Sequence, residues 1–114
     1  MKAFNHCKSS VKKFGGKEKD YLEIHQWFDE SKTYFGDIRH RALRHHTLGI
    51  QMCEDKFGVF IVNSSNKKVI VKSIAEQHII EDIGFLPTLQ DWLKRIKPER
   101  WMNNTKKVTK MNLS

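Results

Sequence analysis

This 114-residue chain predicts an α+β fold, mostly α, with about four helices and one β-hairpin packed against them. Three observations lead there. Apolar residues recur at helical spacing through residues 21–35, 37–58, 74–84 and 88–97. The stretch VFIVNSSNKKVIVKS holds the one pair of β-branched and aromatic runs joined by a polar turn. The length suits one domain, and 39% hydrophobic residues with seven Phe and three Trp allow a real but small core.

The elements follow in order. Phe14-Gly15-Gly16-Lys17 reads as a turn after a short N-terminal segment. Asp20 is placed to cap YLEIHQWFDESKTYF, whose Leu22, Trp27, Phe28 and Phe35 form an apolar stripe broken near Gly36. Asp37 then caps a long, largely buried helix over 37–58, with Ile38, Ala42, Leu43, Leu48, Ile50, Met52 and Cys53 inward. Gly49 inside that helix costs about 1 kcal/mol in propensity, so close packing against a neighbour is the expected reason for it. Gly58 reads as its stop. Val59–Val62 and Val69–Val71 form the hairpin, which is marginal alone and must pack on helices. IAEQHIIEDIG is the third helix, ending at Gly84. Thr88, with Asp91 as capping-box partner, opens the fourth, LQDWLKRIK, which stops before Pro98. Trp101 reads as an anchor for the last turn. The expected domain is 1–102, with 103–114 as a flexible basic tail.

Charge and composition narrow the function. The net charge of +8 sits mainly at the ends: residues 1–20 carry +4, residues 98–114 carry +3, and the middle is nearly neutral. Basic ends attract polyanions without specifying them. No apolar run approaches the roughly 20 residues of a membrane span. The N-terminus lacks the apolar centre of a secretory signal. The expectation is a soluble cytoplasmic protein without a membrane partner. Cys7 and Cys53 are the only cysteines, which excludes a disulfide framework and a four-cysteine zinc knuckle. A Gly-rich phosphate loop, a nucleophile elbow and a dinucleotide fingerprint are all missing from the sequence.

The histidines carry the chemistry. Five of the six stand within one helical turn of a carboxylate or another histidine: His25 with Asp29, Asp37 with His40, His45 beside His46, and His78 with Glu81 and Asp82. Positions three and four apart share a helix face, so each mixed pair can aim imidazole and carboxylate together. A single such pair usually means only a surface contact worth tenths of a kcal/mol. Together they suggest a site between helices for a divalent metal, Zn, Fe or Mn, drawing on His25, His40, His45, His46, His78, Asp29 and Asp37. His45 and His46 point roughly 100° apart, so only one of them can join a given site. Glu81 or Asp82 completes the ligand set or acts as base, and Arg41 or Arg44 receives an anion. The expected activity is metal-dependent hydrolysis of a phosphoester or another small anionic molecule. The alternative is a non-catalytic factor that grips nucleic acid or protein through its basic ends.

The blocks IHxWFDxSK, DxRHRALxHHxxG, FG, EQHxxEDxGxxPTxxDW and a closing WM span most of the chain. In them the sequence resembles a family of small proteins of unknown function in bacteria and their phages. The resemblance implies a helical arrangement around a short hairpin. It also implies that His6, His25, Asp37, His40, His45, His46, Glu76, His78, Glu81 and Asp82 are motif positions. It supplies no activity, and a phage origin would suit the alternative reading.

Overall fold

A computed structural model describes residues 1–103. The basic stretch 104–114, most of the expected tail, lies outside the described residues. The fold is mostly helical with a two-stranded antiparallel hairpin, as the apolar spacing predicts. The central element is the helix Val71–Ile83. It packs against the helices Ala3–Phe14, Leu22–Asp29 and Thr47–Phe57 and against both strands. In chain order these helices are α1 (Ala3–Phe14), α2 (Leu22–Asp29), α3 (Thr47–Phe57) and α4 (Val71–Ile83), with a short α5 (Leu89–Leu93) after them.

The N-terminal segment is a full helix. In α1, His6, Cys7 and Ser10 are buried and Val11 and Phe14 pack beside them, one stripe at helical spacing. A stripe composed of His, Cys and Ser carries little hydropathy signal, so composition alone did not mark a helix. The helix ends where Gly15 and Gly16 take φ of 82° and 76°. Here a side-chain knot fastens the chain. Asp20 accepts from the Lys17 amide at 2.8 Å, the Ser64 amide at 2.9 Å and the Ser64 hydroxyl at 2.7 Å. Asn63 Nδ2 donates to the Phe14 carbonyl and to the Tyr21 hydroxyl, which itself donates to the Gly15 carbonyl. The tip of the hairpin is thereby tied to the α1–α2 junction.

The hairpin pairs Phe60 with Ile70, Ile61 with Val69 and Val62 with Lys68. Strand β1 is Phe60–Val62 and β2 is Lys68–Ile70. Alternation turns Ile61 and Val69 to the helices and leaves Phe60, Val62 and Ile70 outside. Val71, read from sequence as strand, is the first residue of α4, so strand runs directly into helix. The core joins Tyr21, Ile24, Trp27 and Phe28 of the second segment to Ile50, Cys53, Ile74, Ala75 and Ile79. Both cysteines are buried free thiols, and burial pushes Cys7 up to about 11 and Cys53 to about 12.

Four expectations need correction. The long helix over 37–58 is two pieces: a 3-10 segment, Ile38–Leu43, then a break, then α3 from Thr47. The break exists because the His46 side chain accepts from the Gly49 amide and caps α3 at that point. The helix expected over 21–35 ends at Asp29 and tightens into a 3-10 turn, Glu30–Thr33. The fourth helix is only Leu89–Leu93, although the Thr88–Asp91 capping box is present in both directions. Trp101 is 73% exposed and anchors nothing among the described residues.

Gly49 is required by close approach: a Cβ there would lie 1.7 Å from the Arg44 carbonyl oxygen. Gly49→Ala should therefore lower unfolding free energy by about 3 kcal/mol or more, the upper range for overpacking. Urea titration followed by circular dichroism reads this. A change below about 1 kcal/mol would show that the 44–49 turn opens freely.

Candidate metal centre

Asp82, in the last turn of α4, has a side chain only 1% exposed. Three imidazoles from three parts of the chain surround its carboxylate. His6 of α1 brings Nε2 to 3.1 Å from Oδ1. His45, in the turn before α3, brings Nε2 to 2.9 Å from Oδ2. His78, one turn earlier on α4, brings Nε2 to 3.2 Å from Oδ2. Asp29, at the end of α2, adds a second carboxylate. Its Oδ1 lies 3.5 Å from His78 Nε2, 3.8 Å from His40 Nε2 and 4.0 Å from His45 Nε2.

One ligand atom from each of Asp29, His45, His78 and Asp82 lies within 4.8 Å of all the others, a group able to hold a metal ion. Metal–ligand bonds of about 2.1 Å place neighbouring ligand atoms about 3.0 to 3.4 Å apart in octahedral or tetrahedral shells. The closest spacings here, 2.9, 3.2 and 3.5 Å, lie near that range. His40 stands ready beside them. Its Nδ1 hydrogen-bonds the Asp37 carbonyl at 2.8 Å, which can only accept, so Nδ1 carries the hydrogen. The bare Nε2 then faces Asp29, and a backbone carbonyl behind a ligating imidazole is the usual orienting partner.

The electrostatics express a buried anion held by imidazoles. Burial alone would raise the Asp82 carboxyl, but the His45, His6 and His78 rings beside it hold it far below the usual carboxylate range. Asp29 likewise stays below its ordinary value: burial opposes this, and His78 and Lys32 outweigh it. Burial lowers His45 despite the nearby carboxylates. For His78 burial also acts downward, yet Asp29 and Asp82 win and the ring is raised. Three buried ring nitrogens of the centre's histidines, His40 Nε2, His45 Nδ1 and His78 Nε2, have no hydrogen-bond partner among the described residues. His78 Nε2 lacks one although two carboxylates are near, because it is aligned with neither.

The remaining sequence candidates are placed as follows. Glu81 sits behind His6, 2.8 Å from Nδ1, and accepts from Ser9 and Gln77 as well. His25 lies in the core, with Nε2 on Ser10 Oγ at 2.7 Å and Nδ1 on His78 Nδ1 at 2.9 Å. His46 caps α3, and the Asp37 carboxylate binds Arg39. Arg44 stacks on Trp27 and donates to its carbonyl. Arg41 is the arginine at the centre, with one guanidinium nitrogen 3.8 Å from Asp82 Oδ1 and a buried Nε without a partner among the described residues. His6, Ser10 and Gln77 were not named as site members from spacing. The available signal was the i, i+4 pair His6–Ser10 on an otherwise apolar face of α1.

An apolar cleft of about 660 Å³ lies nearby, walled by Leu43, Leu48, Met52, Trp92 and Ile96, and it reaches the centre's residues only at His40. Asp29 and Arg41, 13% and 20% exposed, are the partly open members of the centre.

Sequence comparison places the chain. A model of a domain of unknown function, DUF6915, matches residues 1–102. The chain belongs to that family. No curated protein matches it, and no solved structure does. The family description carries no activity, so function must be argued from the centre.

His46 separates capping from the centre's chemistry. His46→Ala should cost about 1 kcal/mol of stability, the usual loss of an N-cap, and His46→Asn should restore most of it, because Asn caps well. Thermal unfolding of the two variants checks this. Equal losses would mean that the buried ring matters through packing instead.

Proposed function

We propose that the protein is a small metal-binding protein that holds one divalent cation, zinc, iron or manganese, among His78, His45, Asp29 and Asp82, with His40 as a fifth donor. The observation that carries this reading is His78 Nε2: buried, close to two carboxylates, and aligned with neither. A proton on that nitrogen would be best placed along a line to one oxygen. A cation between all four atoms makes use of the position as it stands. The imidazole and carboxylate donors suit zinc, iron and manganese alike.

The site's use is hydrolysis of a phosphoester or a related anionic substrate. A cation there supplies a Lewis acid. Arg41, with an unused buried donor at the rim, binds the substrate's oxyanion; Arg44 is already committed to Trp27. Asp29, the more exposed of the two carboxylates, takes the proton released by water. His6 and Glu81 steady Asp82 from behind. No helix of the described residues is long and apolar enough to cross a membrane, and a cytoplasmic setting is part of this proposal.

Elemental analysis of untagged protein purified without chelator should find close to one zinc, iron or manganese per chain. His78→Ala and Asp82→Ala should lose it. With metal present, a chromogenic phosphodiester should turn over, and Arg41→Met should lower kcat/KM at least 10-fold with metal content unchanged. A folded wild-type protein that takes up no metal on dialysis against all three ions would end this reading.

One observation favours the other class. The exposed side of α1 presents Lys8, Lys12 and Lys13 away from the buried His6, Cys7 and Ser10. Such a face can engage nucleic acid, as the alternative of a non-catalytic, phage-encoded binding factor requires. Charge reversal of these three lysines should then weaken binding to duplex DNA and flatten its salt dependence, while His78→Ala leaves both unchanged. Unchanged binding in the triple variant would remove α1 from consideration.

A further inference from the structure

We propose that Ser10 and His25 are positioning residues that fix the tautomer of His78, putting its hydrogen on Nδ1 and presenting a bare Nε2 between Asp29 and Asp82. The proposal rests on the reading above that these residues form a cation site. It explains why the centre is backed by a further buried imidazole, His25, that reaches neither carboxylate.

The polarity of the hydrogen bonds is set by Gln77. Its Nε2 lies 2.9 Å from the His6 carbonyl and 2.9 Å from Glu81 Oε1, both acceptors, so the amide nitrogen must face them. Gln77 Oε1 therefore faces Ser10 Oγ, 2.7 Å away, and can only accept. A second acceptor, the His6 carbonyl, lies 3.1 Å from the same hydroxyl. Ser10 has one hydrogen and must give it to one of these oxygens. Toward His25 Nε2, at 2.7 Å, it can then only accept, so His25 carries its hydrogen on Nε2. His25 Nδ1 is left bare and must accept from His78 Nδ1 at 2.9 Å. His78 thus holds its hydrogen on Nδ1, and Nε2 is free to bind a cation.

The opposite polarity is costly. It needs Ser10 to donate to His25, leaving Gln77 Oε1 and Ser10 Oγ in buried lone-pair contact. An unsatisfied buried polar group weakens the fold. The relay is shielded throughout: Ser10, His25 and His78 are fully buried, Gln77 nearly so, and the His78 ring lies between those of Phe28 and His6, at centroid distances of 4.8 and 3.9 Å.

His25 could instead be a ligand, since it forms a second close group with His6 and His78. Its two nitrogens are already engaged, one by Ser10 and one by His78. That leaves His25 the role of an orienting group behind a ligand, commonly worth 10- to 100-fold in metal affinity.

The test is long-range proton–nitrogen NMR of the full chain, nitrogen-labelled, metal-free and at pH 9.5. A hydrogen on His78 Nδ1 together with a bare His25 Nδ1 is expected. A hydrogen on His25 Nδ1 with a bare His78 Nδ1 overturns the proposal, whether or not the protein binds metal. Zinc titration supplies the second arm. His25→Leu removes both bonds and should weaken zinc binding 10- to 100-fold. His25→Gln can accept from His78 and donate to Ser10, and should stay within about 3-fold of wild type. Equal loss in the two variants, both folded by circular dichroism, would make His25 a ligand and refute the positioning role. Failure of the wild type to bind zinc would instead count against the metal reading and leave the spectrum to decide the relay.

Discussion

A carboxylate almost wholly removed from water must be matched by positive charge or hydrogen donors, or it destabilises the fold by several kcal/mol. Asp82 is that carboxylate, and much of the architecture is the means of matching it. α1 brings His6, the turn before α3 brings His45, and α4 itself brings His78. The 3-10 segment Ile38–Leu43 carries Arg41 to 3.8 Å from Oδ1 and His40 toward Asp29. These pieces are distant in sequence and meet only where α4 passes between them. Hence α4 is buried on more than one face, from Val71, Ile74 and Ala75 to Gln77, His78 and Ile79.

The break between residues 44 and 46 follows from the same constraint. A continuous helix over 37–58 would put His40 and the His45–His46 pair on a fixed helical progression. Interrupting it lets His45 turn toward Asp82 while His46, its neighbour, folds back to cap α3. Gly49 makes that turn sterically possible, because the Arg44 carbonyl occupies the space of its missing Cβ. Two adjacent histidines therefore do unrelated work, one electrostatic and one conformational. Spacing alone showed that they diverge and could not say which goes where.

Legibility in the sequence was uneven for physical reasons. The hairpin, the Gly84 stop and the Thr88–Asp91 box rest on local rules and were readable. The His78–Asp82 pair was readable because α4 is a regular helix and i, i+4 geometry holds. The Asp37–His40 pair follows a 3-10 turn instead: the imidazole takes the Asp37 backbone carbonyl and the carboxylate takes Arg39. His25 and Asp29 share α2, yet one faces Ser10 and the other faces solvent and the centre, a difference set by which neighbour each meets. α1 was hidden because its buried face is built of His, Cys and Ser, residues that count as polar or ambiguous in any hydropathy pattern.

All six histidines are buried, along with Ser10, Gln77 and most of Asp82. In a chain this small the apolar core is limited, and each polar group placed inside it competes with stability. A solely structural network would be expected to satisfy every member, since unpaired buried groups weaken the fold without return. This one satisfies its outer members fully: Ser10, Gln77, Glu81 and His25 all have partners. It leaves unpaired nitrogens on His40 and His78, where the two carboxylates converge, and others on Arg41, His45 and His46. Those on His40 and His78 stand where negative charge is highest, and a cation arriving there would engage both. Two unpaired nitrogens beside two buried carboxylates therefore argue for a binding site over a packing solution.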